Sequence, residues 1–166
     1  MPDTGMTTYA PPPFQAFLDE HRGPVLAFLR AAVGPTDADD CFQETFISAL
    51  RAYKRMDGRH PRAWVMTIAR RKAIDHHRAR ARRPEPRAEV PEQPVTGPEA
   101  APDREIWSAV AELTPAQREA VALRYAADLP YREVGETLGI SEEAARRRVH
   151  DGLNNIRTRI DEEEIR

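Results

Sequence analysis

Apolar positions along this chain recur at three- and four-residue spacing, and no stretch alternates with period two, so the pattern predicts an all-α protein. Phe14, Phe17 and Leu18, then Val25, Phe28, Leu29 and Ala32, trace one stripe. Gly23 and Pro24 should break or kink it, because proline removes a backbone donor and crowds the preceding turn. Thr36 with Asp39 resembles a helix start, after which Phe42, Phe46, Ala49, Leu50 and Tyr53 share one face. Residues 54–60 read as a polar loop. Pro61 suits the first turn of the next helix, which Trp64, Val65, Ile68 and Ala69 anchor and which runs on to 82 with almost pure cationic character. Ile106, Trp107, Val110 and Leu113 predict a short helix, with Trp107 a core residue. Thr114 to Gln117 is a capping box with Pro115 at the first helical position, and Val121, Leu123 and Tyr125 supply packing beyond it.

The stretch from Leu129 to Val149 reads as a helix-turn-helix. Val134 and Leu138 lie on one face of a first helix, and Gly139 tolerates the positive φ that a helix C-terminus needs. Ile140 can plug the angle between the helices, and the small Gly135 lets them approach closely. Ser141 can cap the second helix, with Glu142 and Glu143 in its first turn, where the helix dipole favours anions. Ala145 and Val149 then face inward, leaving Arg146, Arg147 and Arg148 mostly outward. A helix held in this way can enter the major groove of DNA. The competing reading is an ordinary helical hairpin with a solvated arginine face.

Charge changes the picture through its distribution. The 166 residues carry a formal net charge of -2. Residues 51–83, however, hold twelve Lys/Arg against Asp57 and Asp75, a local +10. Residues 14–50 and 84–105 are each locally -4. A basic block beside acidic ones suggests a polyanion for one face and a different partner for another. Six of the fifteen prolines fall within 84–104, a density that no helix or ladder survives, so that stretch reads as a semi-extended acidic tether. It divides the chain into a body at 14–83 and another at 105–160, with residues 1–13 expected to be disordered and the acidic end 161–166 frayed.

Cys41 is the only cysteine, which excludes an intrachain disulfide and fits a reducing compartment. No apolar run approaches the ~20 residues of a membrane span, and Met1 to Pro13 lacks the features of a signal peptide. A soluble, cytoplasmic protein is expected, with no membrane insertion and no cofactor. Asp75, His76 and His77 invite a metal reading, but adjacent histidines point to different sides of a helix and cannot easily share one ion, so no metal is expected.

The order of motifs resembles a known family. The run DADDCFQETF (37–46) is followed by PRAWVMTIARRKAIDHHR (61–78), a tether, LTPAQREAVALRY (113–125) and the helix-turn-helix. This resembles the extracytoplasmic-function sigma factors, the compact specificity subunits of bacterial RNA polymerase, over nearly everything from 14 to 159. The resemblance implies that the helix around 37–53 docks on core RNA polymerase through Asp39, Asp40, Gln43 and Glu44. It implies that the helix 61–82, with the loop before it, reads the promoter -10 element and that the helix-turn-helix reads the -35 element. Promoter DNA, core polymerase and an anti-sigma factor are the partners implied, and the tether would thread the polymerase between the two sites.

Opening DNA requires cations for the backbone, with a pocket and stacking faces for flipped bases. Arg62, Arg70, Arg71 and Lys72 can supply charge, and Asp57, Arg59 and His60 can form a base pocket. Trp64, Asp75 and His76 complete the -10 candidates, with a mixed core and DNA-facing role left open for Trp64. Glu142, Glu143, Arg146, Arg147, Arg148 and His150 are the -35 candidates. Cys41 and Ala145 are smaller than the family's usual residues, and Glu142 and Glu143 are unfavourable near phosphate unless one accepts from a cytosine amino group. Two other functions compete. A stand-alone helix-turn-helix regulator, expected to be a dimer on palindromic half-sites, leaves the motifs at 37–46 and 61–78 idle. A metal-dependent nuclease lacks a carboxylate cluster, a phosphate-cradling glycine loop and a cysteine ligand set.

Overall fold

A computed structural model describes residues 9–83 and 101–166. Its helices are α1 (Phe14–Val33), α2 (Ala38–Ala52), α3 (Pro61–Arg82), α4 (Ala101–Ala111), α5 (Pro115–Val121), α6 (Tyr131–Leu138) and α7 (Glu142–Glu164), and no strand occurs among the described residues. A 3-10 turn at Tyr53–Arg55 closes α2, and a π turn at Ala122–Ala126 follows α5.

In the first body α1, α2 and α3 pack pairwise around Phe17, Val25, Phe28, Leu29, Phe46, Val65 and Met66. Of the break or kink expected at Gly23 and Pro24, the break does not occur, and α1 runs through both as one helix. Pro24 lacks its own N–H and crowds the turn before it, and burial of Phe17 and His21 before it and of Val25 and Phe28 after it offsets that local cost. Leu50 also departs from expectation and is 55% exposed. It lies about 100° round the helix from Ala49, which already faces the core. The segment just before α1 was expected to be disordered, yet from residue 9 it is held on the body. The buried Tyr53 donates its hydroxyl proton to the Pro12 carbonyl at 2.5 Å, and the Tyr9 ring covers Gly58, where a Cβ would overlap it. Residues 1–8 of that expectation lie outside the described residues.

Most of the expected tether, 84–100, also lies outside the described residues. Its last part is helical, because α4 starts at Ala101, ahead of the expected boundary at 105. Pro102 sits in the first turn, where a missing N–H costs nothing. At the other end α7 continues to Glu164, so the acidic end expected to fray extends a helix.

In the second body Val110, Leu113, Val121 and Ile156 form a small cluster between α4, α5 and α7. Trp107 is 40% exposed and Tyr125 is exposed as well, so neither is the core residue expected. α4 packs through Val110 one turn further on, and the π turn adds a residue that rotates Tyr125 outward. The same turn aims Leu123, Ala127 and Leu129 toward the first body. Together with Val134 and Ala145 they join the core of α1–α3 as one continuous cluster. The two bodies are therefore separate in sequence and packed together in space.

Candidate nucleic-acid interface

The helix-turn-helix is built as the sequence pattern requires. Gly139 takes φ 69° and ψ 34°, ending α6, and Ile140 N–H donates to the Gly135 carbonyl at 2.9 Å. A Cβ on Gly135 would lie 2.8 Å from the Ile140 carbonyl oxygen, so only glycine permits this close crossing. Ser141 Oγ accepts from Ala144 N–H at 3.1 Å and caps α7. Ala145 and Val149 are fully buried. Glu142, Glu143, Arg146, Arg147 and His150 are all exposed along α7, with Arg148 half-buried beside them. Arg146 is held in place by Glu142 at 3.1 Å and by the Tyr131 ring, 5.0 Å from its guanidinium carbon. His150 pairs with Asn154 at 3.1 Å. Exposed arginines on a capped second helix can read base edges in a major groove.

The nine candidates of the first body do not share one surface. His60, Arg62 and Arg70 face the second body: His60 Nδ1 lies 2.8 Å from Glu133, Arg62 3.9 Å from Asp128 and Arg70 3.3 Å from Glu119. Arg59 is exposed, with its N–H donating to Asp57 at 3.1 Å. An open cleft of about 240 Å³ lies between the 57–61 loop, α1 and the 128–133 segment. Arg71 and Asp75 are exposed, and Lys72 is half-buried. His76 instead turns to Asp37 at 3.1 Å, a carboxylate that Arg80 also holds at 2.8 Å. His77 turns to the Ala32 carbonyl at 2.8 Å, so the adjacent histidines address different elements. Trp64 is half-buried against the core, edge-on to Phe17 at 5.8 Å.

On α2, Asp39, Asp40, Gln43 and Glu44 are all exposed. They continue into Ile47, 51% exposed, and Leu50. The result is an acidic stripe with an apolar end, and sequence periodicity missed that end because it placed Leu50 inside. Cys41 lies beneath the stripe; burial, helped by Glu44, Asp37 and Asp40, pushes its thiol up to about 11, which makes it a core hydrophobe rather than a nucleophile. His21 was also missed. It is 2% exposed, packs on Phe17 at 4.6 Å, and neither ring nitrogen has a hydrogen-bond partner. Glu20 is 3.9 Å away. Burial first of all, with Arg62 adding, lowers its basicity, while Glu20 opposes. A lone histidine in an apolar stripe carries no signal that would have singled it out.

Two packed helical bodies, one presenting a helix-turn-helix, define a DNA-binding protein of composite architecture. Residues 17–83 match the family Sigma-70 region 2, and residues 109–158 match Sigma-70, region 4. The chain is 34% identical to the RNA polymerase sigma factor CarQ of Myxococcus xanthus, covering 92% of this chain and 91% of that protein. It is 35% identical to the ECF RNA polymerase sigma factor ShbA of Streptomyces griseus, covering 72% and 69%. Its fold matches that of the sigma factor RpoE from Bartonella quintana, solved in complex with the anti-sigma factor NepR, with a TM-score of 0.74, 23% identity and coverage of 89% and 96%. The chain belongs to the extracytoplasmic-function sigma factors of RNA polymerase. Among the described residues, no helix is long and apolar enough to cross a membrane.

Proposed function

We propose that this chain binds core RNA polymerase in the cytoplasm, directs it to promoters through -10 and -35 elements and assists melting, with no catalytic chemistry of its own. The observation that carries this reading is the pairing of two sigma regions, in order, with Arg146 and Arg147 exposed on α7 in the second. In this reading Asp39, Asp40, Gln43 and Glu44, extended by Ile47 and Leu50, dock on the polymerase. Arg59, His60, Arg62, Arg70, Arg71 and Lys72 meet the -10 strand, with Trp64, Asp75 and His76 at its edges. Glu142, Glu143, Arg146, Arg147, Arg148 and His150 meet the -35 element.

The packed arrangement is then a resting form, because Glu133, Asp128 and Glu119 occupy His60, Arg62 and Arg70, three of the residues proposed to meet DNA. Carboxylates there stand where phosphates would come, and the two bodies must part for both elements to be read. An anti-sigma factor is the third partner in this reading, of the kind that holds the Bartonella quintana protein.

Run-off transcription with bacterial core polymerase on a genomic fragment library tests the proposal. Specific start sites that depend on this chain are expected, and a uniform background indistinguishable from core enzyme alone would overturn it.

A further inference from the structure

Tyr131 opens α6, outside the recognition helix, yet its ring connects three elements. Arg124, from the π turn, lies with its guanidinium carbon 5.1 Å from the ring centroid, and Arg146, from α7, lies at 5.0 Å. Arg124 is itself fixed: its Nη1 donates to the Leu129 carbonyl at 3.4 Å, and it also lies over the Tyr125 ring at 5.5 Å. Arg146 carries a second restraint, the Glu142 carboxylate at 3.1 Å. The face of an aromatic ring attracts a guanidinium and favours a parallel, stacked approach, whereas a lone arginine on a helix surface samples many rotamers. Two cations on one ring repel each other, and Glu142 offsets part of that at the Arg146 side.

We infer that Tyr131 is a positioning residue for promoter specificity, its ring holding Arg146 in the orientation from which that arginine reads a guanine of the -35 element. An arginine fork matches the O6 and N7 acceptors of guanine only when its plane is aligned with the base edge. Pre-orienting the fork removes conformational entropy that would otherwise be lost on binding. Phosphate contacts by neighbouring cations do not depend on that alignment, so Tyr131 should influence which sequence is chosen more than how tightly DNA is held. The inference rests on the assignment of α7 to the -35 element.

The test is selection from a promoter pool randomised across the -35 element, using complete holoenzyme carrying the parent chain, Arg146→Ala, Tyr131→Leu or Tyr131→Phe. Arg146→Ala should flatten the preference at one base pair. Tyr131→Leu should weaken the same position by about two- to fivefold, the range expected for an exposed cation–π contact, with the salt dependence of binding unchanged. Tyr131→Phe should keep the parental preference, because the ring and not the hydroxyl does the holding. A series of fluorinated phenylalanines at 131 preserves shape and folding while draining the ring face of electron density, so the preference should fall with each added fluorine. A flat fluorination series, or a Tyr131→Leu profile equal to the parent's, overturns the inference while leaving α7 as the reader. An Arg146→Ala profile equal to the parent's overturns the assignment of Arg146 and the inference together.

Discussion

His21 shows how a single side chain couples the core to solution conditions. Its imidazole is buried among Phe17 and the start of α3 without a hydrogen-bond partner, and burial favours the neutral form. Its proton affinity in the fold is therefore below the ordinary value of 6.5. The unfolded chain binds the proton more readily, so this contribution to stability is complete above about pH 6.5 and falls as the pH drops through that value. His21→Phe keeps a ring beside Phe17 and removes the titration. The variant should unfold at a temperature closer to acid-independent from about pH 8 to about pH 5, whereas the parent should lose ground on the acid side. The pairs His60–Glu133 and His76–Asp37 are common to both proteins, so the difference between the two melting curves isolates His21. Parallel curves across that range would show that His21 takes up no proton on unfolding.

At the scale of elements, the helix-turn-helix depends on how closely α6 and α7 cross. Gly135→Ala adds a methyl against the Ile140 carbonyl, a backbone atom that cannot swing away. Alanine is the better helix former by about 1 kcal/mol, but overpacking against backbone costs about 1–3 kcal/mol, so a net loss is expected in chemical denaturation. An unchanged or raised midpoint would mean that the crossing relaxes freely. α2 poses the opposite case, since its outer stripe supports nothing inside. Asp40→Lys with Glu44→Lys should cost no more than about 1 kcal/mol, chiefly through loss of an anion from the first turn of α2, while abolishing capture by core polymerase. Retained capture by the doubly reversed variant would remove α2 from the docking surface. Elements of this kind were legible in sequence. The Ser141 cap, the Thr114 cap and the Gly139 stop are local chemistry, settled within four residues of chain. The break at Pro24 did not form, and Tyr125 was misread, because a local rule met an opposing packing demand or an unforeseen π turn.

For the molecule as a whole, the decisive fact is that the second body lies over part of the basic face of the first. Glu119→Gln with Glu133→Gln should loosen this contact, since each exposed or partly exposed pair contributes roughly 0.2–1 kcal/mol. Binding of the free protein to a short nonspecific duplex at low salt should rise a few-fold. The distance between fluorophores on the two bodies should lengthen in parallel. Glu162→Gln with Glu163→Gln changes net charge equally at exposed sites near the end of α7 and serves as the reference. Equal gains from both pairs would show a general charge effect and no unmasking.

The sequence by itself determined the helices, their caps, the helix-turn-helix and the family, because each depends on short-range periodicity, backbone conformation or the order of motifs. It also placed Asp39, Asp40, Gln43 and Glu44 on an open surface, since a polar stripe opposite Phe46 has nowhere else to go. Only the tertiary structure decided which cations are free and which are occupied. Arg62 and Arg70 read the same as Arg71 along the chain, but the register of α3 turns the first two toward Asp128 and Glu119 and leaves the third in solvent. The partners come from more than forty positions away, as Arg70 and Glu119 do with a separation of 49. Burial of Leu123, Ala127 and Leu129 against α1 brings them there, and no local pattern encodes that meeting.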